Sequence, residues 1–183
     1  TGRFGARYIV TRAAAAIAGH AALDAYAEHG GDADVIGLAC FGDPGLAALK
    51  EVAVQPVVGM AEASCLEAAA GGRRFAIVTG GEGWRAMLEE FVVTLGLANS
   101  LAVVKTVAPS GGEIARNPVR AYDLLADAAT DCVRESGAEC VLLGGAGLAG
   151  IASKISDRVP CPIIDSVAAL VRAVERLGQK QPA

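Results

Sequence analysis

Five cysteines carry most of the reactive chemistry in this 183-residue chain: Cys40, Cys65, Cys132, Cys140 and Cys161. Their number is odd and no pair has C-x-x-C spacing, which argues against a disulfide framework or a structural zinc site. Free thiols fit a reducing compartment, so a cytoplasmic setting is the expectation. Cys65 lies in an Ala-rich stretch, and Cys132 shares helical spacing with Tyr122, Leu125 and Ala129. Cys140 sits inside an apolar run and Cys161 between two prolines; these four read as packing thiols. Cys40 differs. It stands in ACFGDPGL (39–46), where the apolar run Val35–Leu38 breaks into Gly, Asp and Pro. There a thiol is either a small hydrophobe or a proton-transfer group at the mouth of a strand. An ordinary thiol, with a pKa of about 8.5, is only a few per cent ionised at neutral pH, so a reactive Cys40 needs activation. The backbone N–H groups of Gly42 to Leu46, entering a helix near Leu46, are the candidate source. His20 and His29 both precede this segment, and nothing local builds a Cys-His or Ser-His-Asp site.

The elements that would position Cys40 follow from the apolar pattern. TRAAAAIAGHAALDAYAE (11–28) has helical spacing and ends at Gly30–Gly31. ADVIGLAC predicts a buried strand, LAALKEVA a helix, PVVGM a strand begun by Pro56, and AEASCLEAAAGG a helix closed by its glycines. RRFAIVTGG predicts a strand, and EGWRAMLEEFVVTLGL an amphipathic helix with an acidic first turn. LAVVKTVA predicts another strand, and Asn117–Pro118 is a helix start for NPVRAYDLLADAATDCVRESG. AECVLLGG then predicts a strand, LAGIASKISDRV a helix, PCPIID a strand and SVAALVRAVERLG a helix. Apolar strands alternating with helices mean an α/β fold with mostly parallel sheets flanked by helices.

The chain also repeats itself. ADVIGLACFGDPGLA (33–47) overlies AECVLLGGAGLAGIA (138–152), matching Ala33 to Ala138, Leu38 to Leu143, Gly42 to Gly147, Gly45 to Gly150 and Ala47 to Ala152. With one extra residue, QPVVG (55–59) overlies CPIID (161–165). Glycine after a strand is common to many βαβ turns, which need it. A duplicated unit instead implies two similar lobes with a site between their strand C-termini. Cys40 then lies opposite Gly145.

Composition narrows the partners. A net charge of −4 and a hydrophobic content of 53% disfavour nucleic acid and anionic membrane as partners. No run of about 18 apolar residues predicts a membrane span. TGRFGARYIVTR lacks the apolar region of a signal peptide.

ACFGDPGLAALKEVAVQPVVGMAEA, FAIVTG, AECVLLGGAG and PCPIIDSV together resemble the aspartate/glutamate/hydantoin racemase superfamily, most of all its hydantoin and allantoin racemase branch. CFGDPGL is the most specific of these pieces, and the resemblance covers most of the chain. It implies two pseudo-symmetric α/β lobes with the site in the cleft between them. Here these would be residues 1–72 with 165–183, and 73–164. It also implies a racemase or epimerase that moves a proton at an acidic carbon of a small amino-acid-derived or hydantoin substrate. Such chemistry uses no cofactor and no metal, and a homo-oligomer is the expected assembly.

In that family two cysteines flank the reacting carbon, one per lobe. The first falls on Cys40. The second falls in Gly144–Gly145–Ala146–Gly147, where the usual motif reads like GCAG, so Gly145 takes the second cysteine's place. The family pattern also opens with a strand and an Asn-Pro-Asn-type loop that this sequence does not display. Substrate contacts are expected from Phe41 and Gly42, from Thr79, Gly80 and Gly81, and from Gly145, Ala146 and Gly147, whose N–H groups would hold an enolate oxygen. The same glycines also serve as plain βα turns. Glu62 falls near a family site position but equally reads as a first-turn helix acid, and Asp43 reads as a cap of its own loop. Two further functions stand beside racemisation: a single-cysteine decarboxylase or cis–trans isomerase, and a non-catalytic small-molecule-binding module.

Overall fold

The structure, a computed structural model, describes residues 3–5, 8–108, 116 and 118–179, the side chains of 118 and 120 excepted. An Ala-rich first helix forms where its cap is strong: Thr11 Oγ1 accepts from Ala14 N at 3.1 Å. This helix is α1, Arg12–His29, and it stops at Gly30. β1 (Ile36–Leu38), α2 (Leu46–Val52), β2 (Val57–Gly59) and α3 (Met60–Ala68) complete the first half. The second half runs β3 (Phe75–Gly80), α4 (Trp84–Thr94), β4 (Leu101–Val107), α5 (Pro118–Ser136), β5 (Cys140–Gly144), α6 (Ala152–Ile155), β6 (Ile163–Asp165) and α7 (Ser166–Gly178).

Three local expectations are corrected. LAGIASKISDRV is not one helix. Its Leu148 ends a 3₁₀ turn begun at Ala146, and the short α6 and a second 3₁₀ turn at Ser156–Arg158 follow, because Gly150 takes a positive φ of 78° ahead of α6. The first turn of α4 holds no acidic residue; Glu82 lies ahead of Gly83, which caps the helix. The strand foreseen over 33–40 shortens to three residues. The expected cap Asn117 lies outside the described residues.

All observed strand pairs are parallel. β1 pairs with β2, and a four-stranded sheet has the order β4-β3-β5-β6. Every residue of β3 and β5 is buried, the mark of a sheet covered on both faces. Strand alternation then sorts their apolar runs into two cores. Phe75, Ile77, Cys140 and Leu142 join Met60 and Cys65 of α3, Leu88 and Val92 of α4, and Leu170 of α7. Ala76, Val78, Val141 and Leu143 face Leu125, Ala129 and Cys132 of α5. So Cys65, Cys132 and Cys140 are core thiols, as expected, and Cys161 packs half-buried at the second core's margin. α7 returns across α3, tied by a paired bond from Arg172 to Glu67 at 2.7 and 3.1 Å. The result is the anticipated α/β arrangement of two parallel sheets flanked by helices. Among the described residues no helix is long and apolar enough to cross a membrane.

Candidate active site

Cys40 begins a tight turn between β1 and α2. Gly42 and Gly45 take positive φ values of 94° and 82°, and Asp43 joins them at 48°, the one described non-glycine residue to do so. The Asp43 N–H donates to the Cys40 carbonyl at 3.0 Å, and the Leu46 N–H donates to the Asp43 carbonyl at 3.1 Å. Gly45 needs its lack of a side chain twice: for its φ, and because a Cβ there would stand 2.7 Å from Gly19 Cα on α1. Burial pushes the Cys40 thiol up to about 11, with the Asp43 carboxylate adding to the rise. Desolvation thus opposes the activation expected from the N–H groups of residues 42–46.

The same turn reaches the larger sheet. Phe41, buried, lays its ring where a Cβ on Gly144 would stand, and Trp84 does the same at Gly42. Thr79 Oγ1 donates to the Gly144 carbonyl at 2.7 Å, fastening the ends of β3 and β5 together. Gly81 follows Gly80 with φ 96°, and a Cβ on it would approach Trp84 Cδ1 at 3.6 Å. Gly145 has φ 137°, and its N–H donates to Ser166 Oγ at 3.1 Å; Ala146 and Gly147 continue into the 3₁₀ turn. So the structure gathers Phe41, Gly42, Thr79, Gly81 and the start of the 145–147 loop at one set of strand ends. The Thr79 proton and the Gly145 N–H are already committed within the protein.

Cys40 also lines a cavity of about 810 Å³. Its walls include Ala18, Ala22 and Ala25 of α1, the strand β1 and Leu49 of α2, with Arg3, Tyr26 and His29 as polar members. None of the 79–81 or 145–147 residues lines it. Nothing in the sequence joins His29 to Cys40; the packing of α1 against α2 brings both to one cavity.

Asp43 does not cap its own loop through its side chain. Its carboxylate accepts from the Ala61 and Glu62 N–H groups of α3 at 2.9 and 2.7 Å. Burial pushes this carboxyl up to about 7 against the lowering pull of those bonds. Glu62 acts as a first-turn acid: it accepts from the Gly59 N–H at 3.3 Å and pairs with Lys50. Ser166, buried against Gly145, and Asp165, which caps α7, carried no sequence signal beyond their place at a helix start. Among the described residues no group of three or more His, Cys, Asp or Glu is placed to hold a metal ion.

Comparison with known proteins supplies relatives for this arrangement. The sequence pattern of the Asp/Glu/hydantoin racemase family matches residues 1–174. A hydantoin racemase of Paenarthrobacter aurescens is 40% identical over 153 residues, 82% of this chain and 64% of that protein. One from Pseudomonas sp. (strain NS671) is 37% identical over 156 residues, 84% of this chain and 62% of its own. This chain thus spans under two thirds of the length of both. The crystal structure of an allantoin racemase from Pseudomonas fluorescens superposes with a TM-score of 0.93 at 28% identity, over 98% of this chain and 76% of that one. With a family match across nearly its whole length, the chain belongs to the Asp/Glu/hydantoin racemase family.

Proposed function

We propose that this chain is a cofactor-independent racemase or epimerase that moves a proton at the acidic carbon of a hydantoin or related amino-acid derivative, with Cys40 as the thiol acid/base. The observation that carries the reading is the Cys40 turn. It sets a half-buried thiol at the C-terminal end of β1 while Phe41 and Gly42 of the same turn press on Gly144 of the larger sheet and Trp84 of α4. A parallel α/β sheet offers its ligand site at such strand ends. The family's fold and the hydantoin and allantoin racemase relatives support the substrate class. The substrate lies between the Cys40 turn and the loops 79–81 and 145–147, and residues 1–72 with 165–183 form one lobe and 73–164 the other. Five unpaired thiols support a reducing, cytoplasmic setting.

The acidity of a hydantoin ring carbon lets a carbanion form without a cofactor, and inversion then needs a proton from the opposite face. One specific observation favours a second reading. Gly145 stands where the family's second thiol would, and its N–H is bound to Ser166. A glycine side chain neither takes nor gives a proton. Single-sided protonation, as in a decarboxylase of this superfamily, or covalent assistance to a cis–trans isomerisation needs only Cys40, and for the former a thiol that burial keeps protonated is at rest in the donor's state. Incubating one enantiomer of a 5-substituted hydantoin in heavy water separates the two. Racemisation gives deuterium uptake with loss of optical rotation, and single-sided chemistry gives uptake with retained rotation. A binding module gives neither above the buffer rate.

A further inference from the structure

The two copies of the strand–loop–helix unit secure their glycine loops with one carboxylate each, drawn from different places. In the second copy Asp165 ends β6. Its Oδ1 accepts from Val167 N and Ala168 N at 2.9 and 3.1 Å, and its Oδ2 accepts from Gly150 N at 2.6 Å. One side chain thereby caps α7 and holds the far end of the loop that begins at Gly145. The matching strand end in the first copy is Gly59, which has no side chain to offer. The missing group comes from the loop instead. A Cβ built on Gly59 would fall on the Asp43 carboxylate. That carboxylate, only 4% exposed, accepts from Ala61 N and Glu62 N at the head of α3.

We propose that Asp43 is a positioning residue for Cys40: its carboxylate clamps the Cys40 turn onto the N-terminus of α3, doing from the loop what Asp165 does from the strand. This rests on the reading of Cys40 as the proton-transfer group. The link to Cys40 is short. The Asp43 N–H donates to the Cys40 carbonyl, and the positive φ of 48° at Asp43 aims its side chain away from its own loop toward α3. A turn anchored three residues from the thiol fixes where the sulfur stands, and misplacing a reacting group by about 1 Å can cost about 10²-fold in rate. The ionisable groups facing the carboxylate are Cys40 in its own turn, Cys65 on α3 and Glu62, whose charge Lys50 balances.

Three variants test the clamp. Asp43→Asn keeps the shape but turns one acceptor into a donor facing an α3 N–H. Asp43→Gly removes the carboxylate and suits the positive φ. Asp43→Gly with Gly59→Asp moves the carboxylate to the strand end, in the manner of Asp165, into space that Asp43 has vacated. The readouts are kcat and KM on one enantiomer of a 5-substituted hydantoin, the urea midpoint, and the pH dependence of iodoacetamide modification of the Cys40 peptide by mass spectrometry. The last needs no substrate, so it reads the clamp even if the wild type turns over no hydantoin. The proposal expects Asp43→Gly to lower kcat by about 10²-fold with KM within about threefold. It expects Asp43→Asn to shift the Cys40 modification curve to lower pH. The double variant recovers the urea midpoint, most of kcat and a modification curve near that of the wild type. Single variants that lose stability yet keep the wild-type kcat and Cys40 curve overturn it, because Asp43 would then be a helix cap and nothing more. A double variant that regains the midpoint without regaining the Cys40 curve overturns it too.

Discussion

Burial holds the Cys40 thiol in its protonated form, so it rests in the donor's state and must be ionised before it can take a proton. With Cys40 raised to about 11 by burial and by Asp43, about 10⁻⁴ of the protein carries the thiolate at neutral pH. Alkylation of Cys40 is therefore expected to rise about tenfold per pH unit through pH 9 and to level off only near 11, followed by mass spectrometry of its peptide. A plateau near 8.5 would mean that the turn's N–H groups win over desolvation after all. The odd position of Cys40 was legible in the sequence because Gly, Asp and Pro so close to an apolar strand announce a turn at a strand mouth. The partner of Asp43 was not. Loop chemistry shows that an Asx residue will bond a nearby N–H, but only the packed fold says that the N–H belongs to a helix 18 residues on.

The elements around the site depend on glycines that others press against. Gly144→Ala would drive a Cβ into the Phe41 ring next to Cys40. Overpacking of this kind costs about 1–3 kcal/mol, so the urea midpoint should fall and kcat with it. Gly145 is the contrast. The nearest atom to a Cβ there is Leu148 Cγ at 3.8 Å, so Gly145→Cys has room and carries only the strain of φ 137°, about 1–3 kcal/mol. A thiol there should raise the ratio of racemisation to deuterium uptake; an unchanged ratio counts against Gly145 as the vacant partner position. Strands and long helices were readable from their apolar runs and caps, as Thr11 and Gly30 show for α1. The segment after Gly145 was not. Its apolar spacing suits a helix, while the φ of Gly150 and its N–H bond to Asp165 break it into short turns.

The molecule as a whole is two parallel sheets whose strands are mostly apolar runs, and that pattern, alternating with helices, implies the fold class. It could not say which face each residue takes, since a run such as Phe75 to Val78 is apolar on both. Burying thiols in those cores has a consequence for alkaline stability. Burial raises Cys40, Cys132 and Cys140 from 9.0 to about 11, and Cys65 to about 12. Between those values the unfolded chain has released protons that the folded one keeps, so the contribution is fully present below 9.0 and is lost as pH rises through 11 to 12. The urea midpoint should fall as pH rises above 9, and less steeply in Cys65→Ala. Whether Cys40 moves the proton is read from the initial rate of deuterium uptake at carbon 5 of one hydantoin enantiomer. Wild type and a folded Cys40→Ala variant are compared in heavy water. With Cys40 as the acid/base, the variant loses about 10²–10⁴-fold of the rate above buffer. Equal uptake by the two proteins would contradict that role.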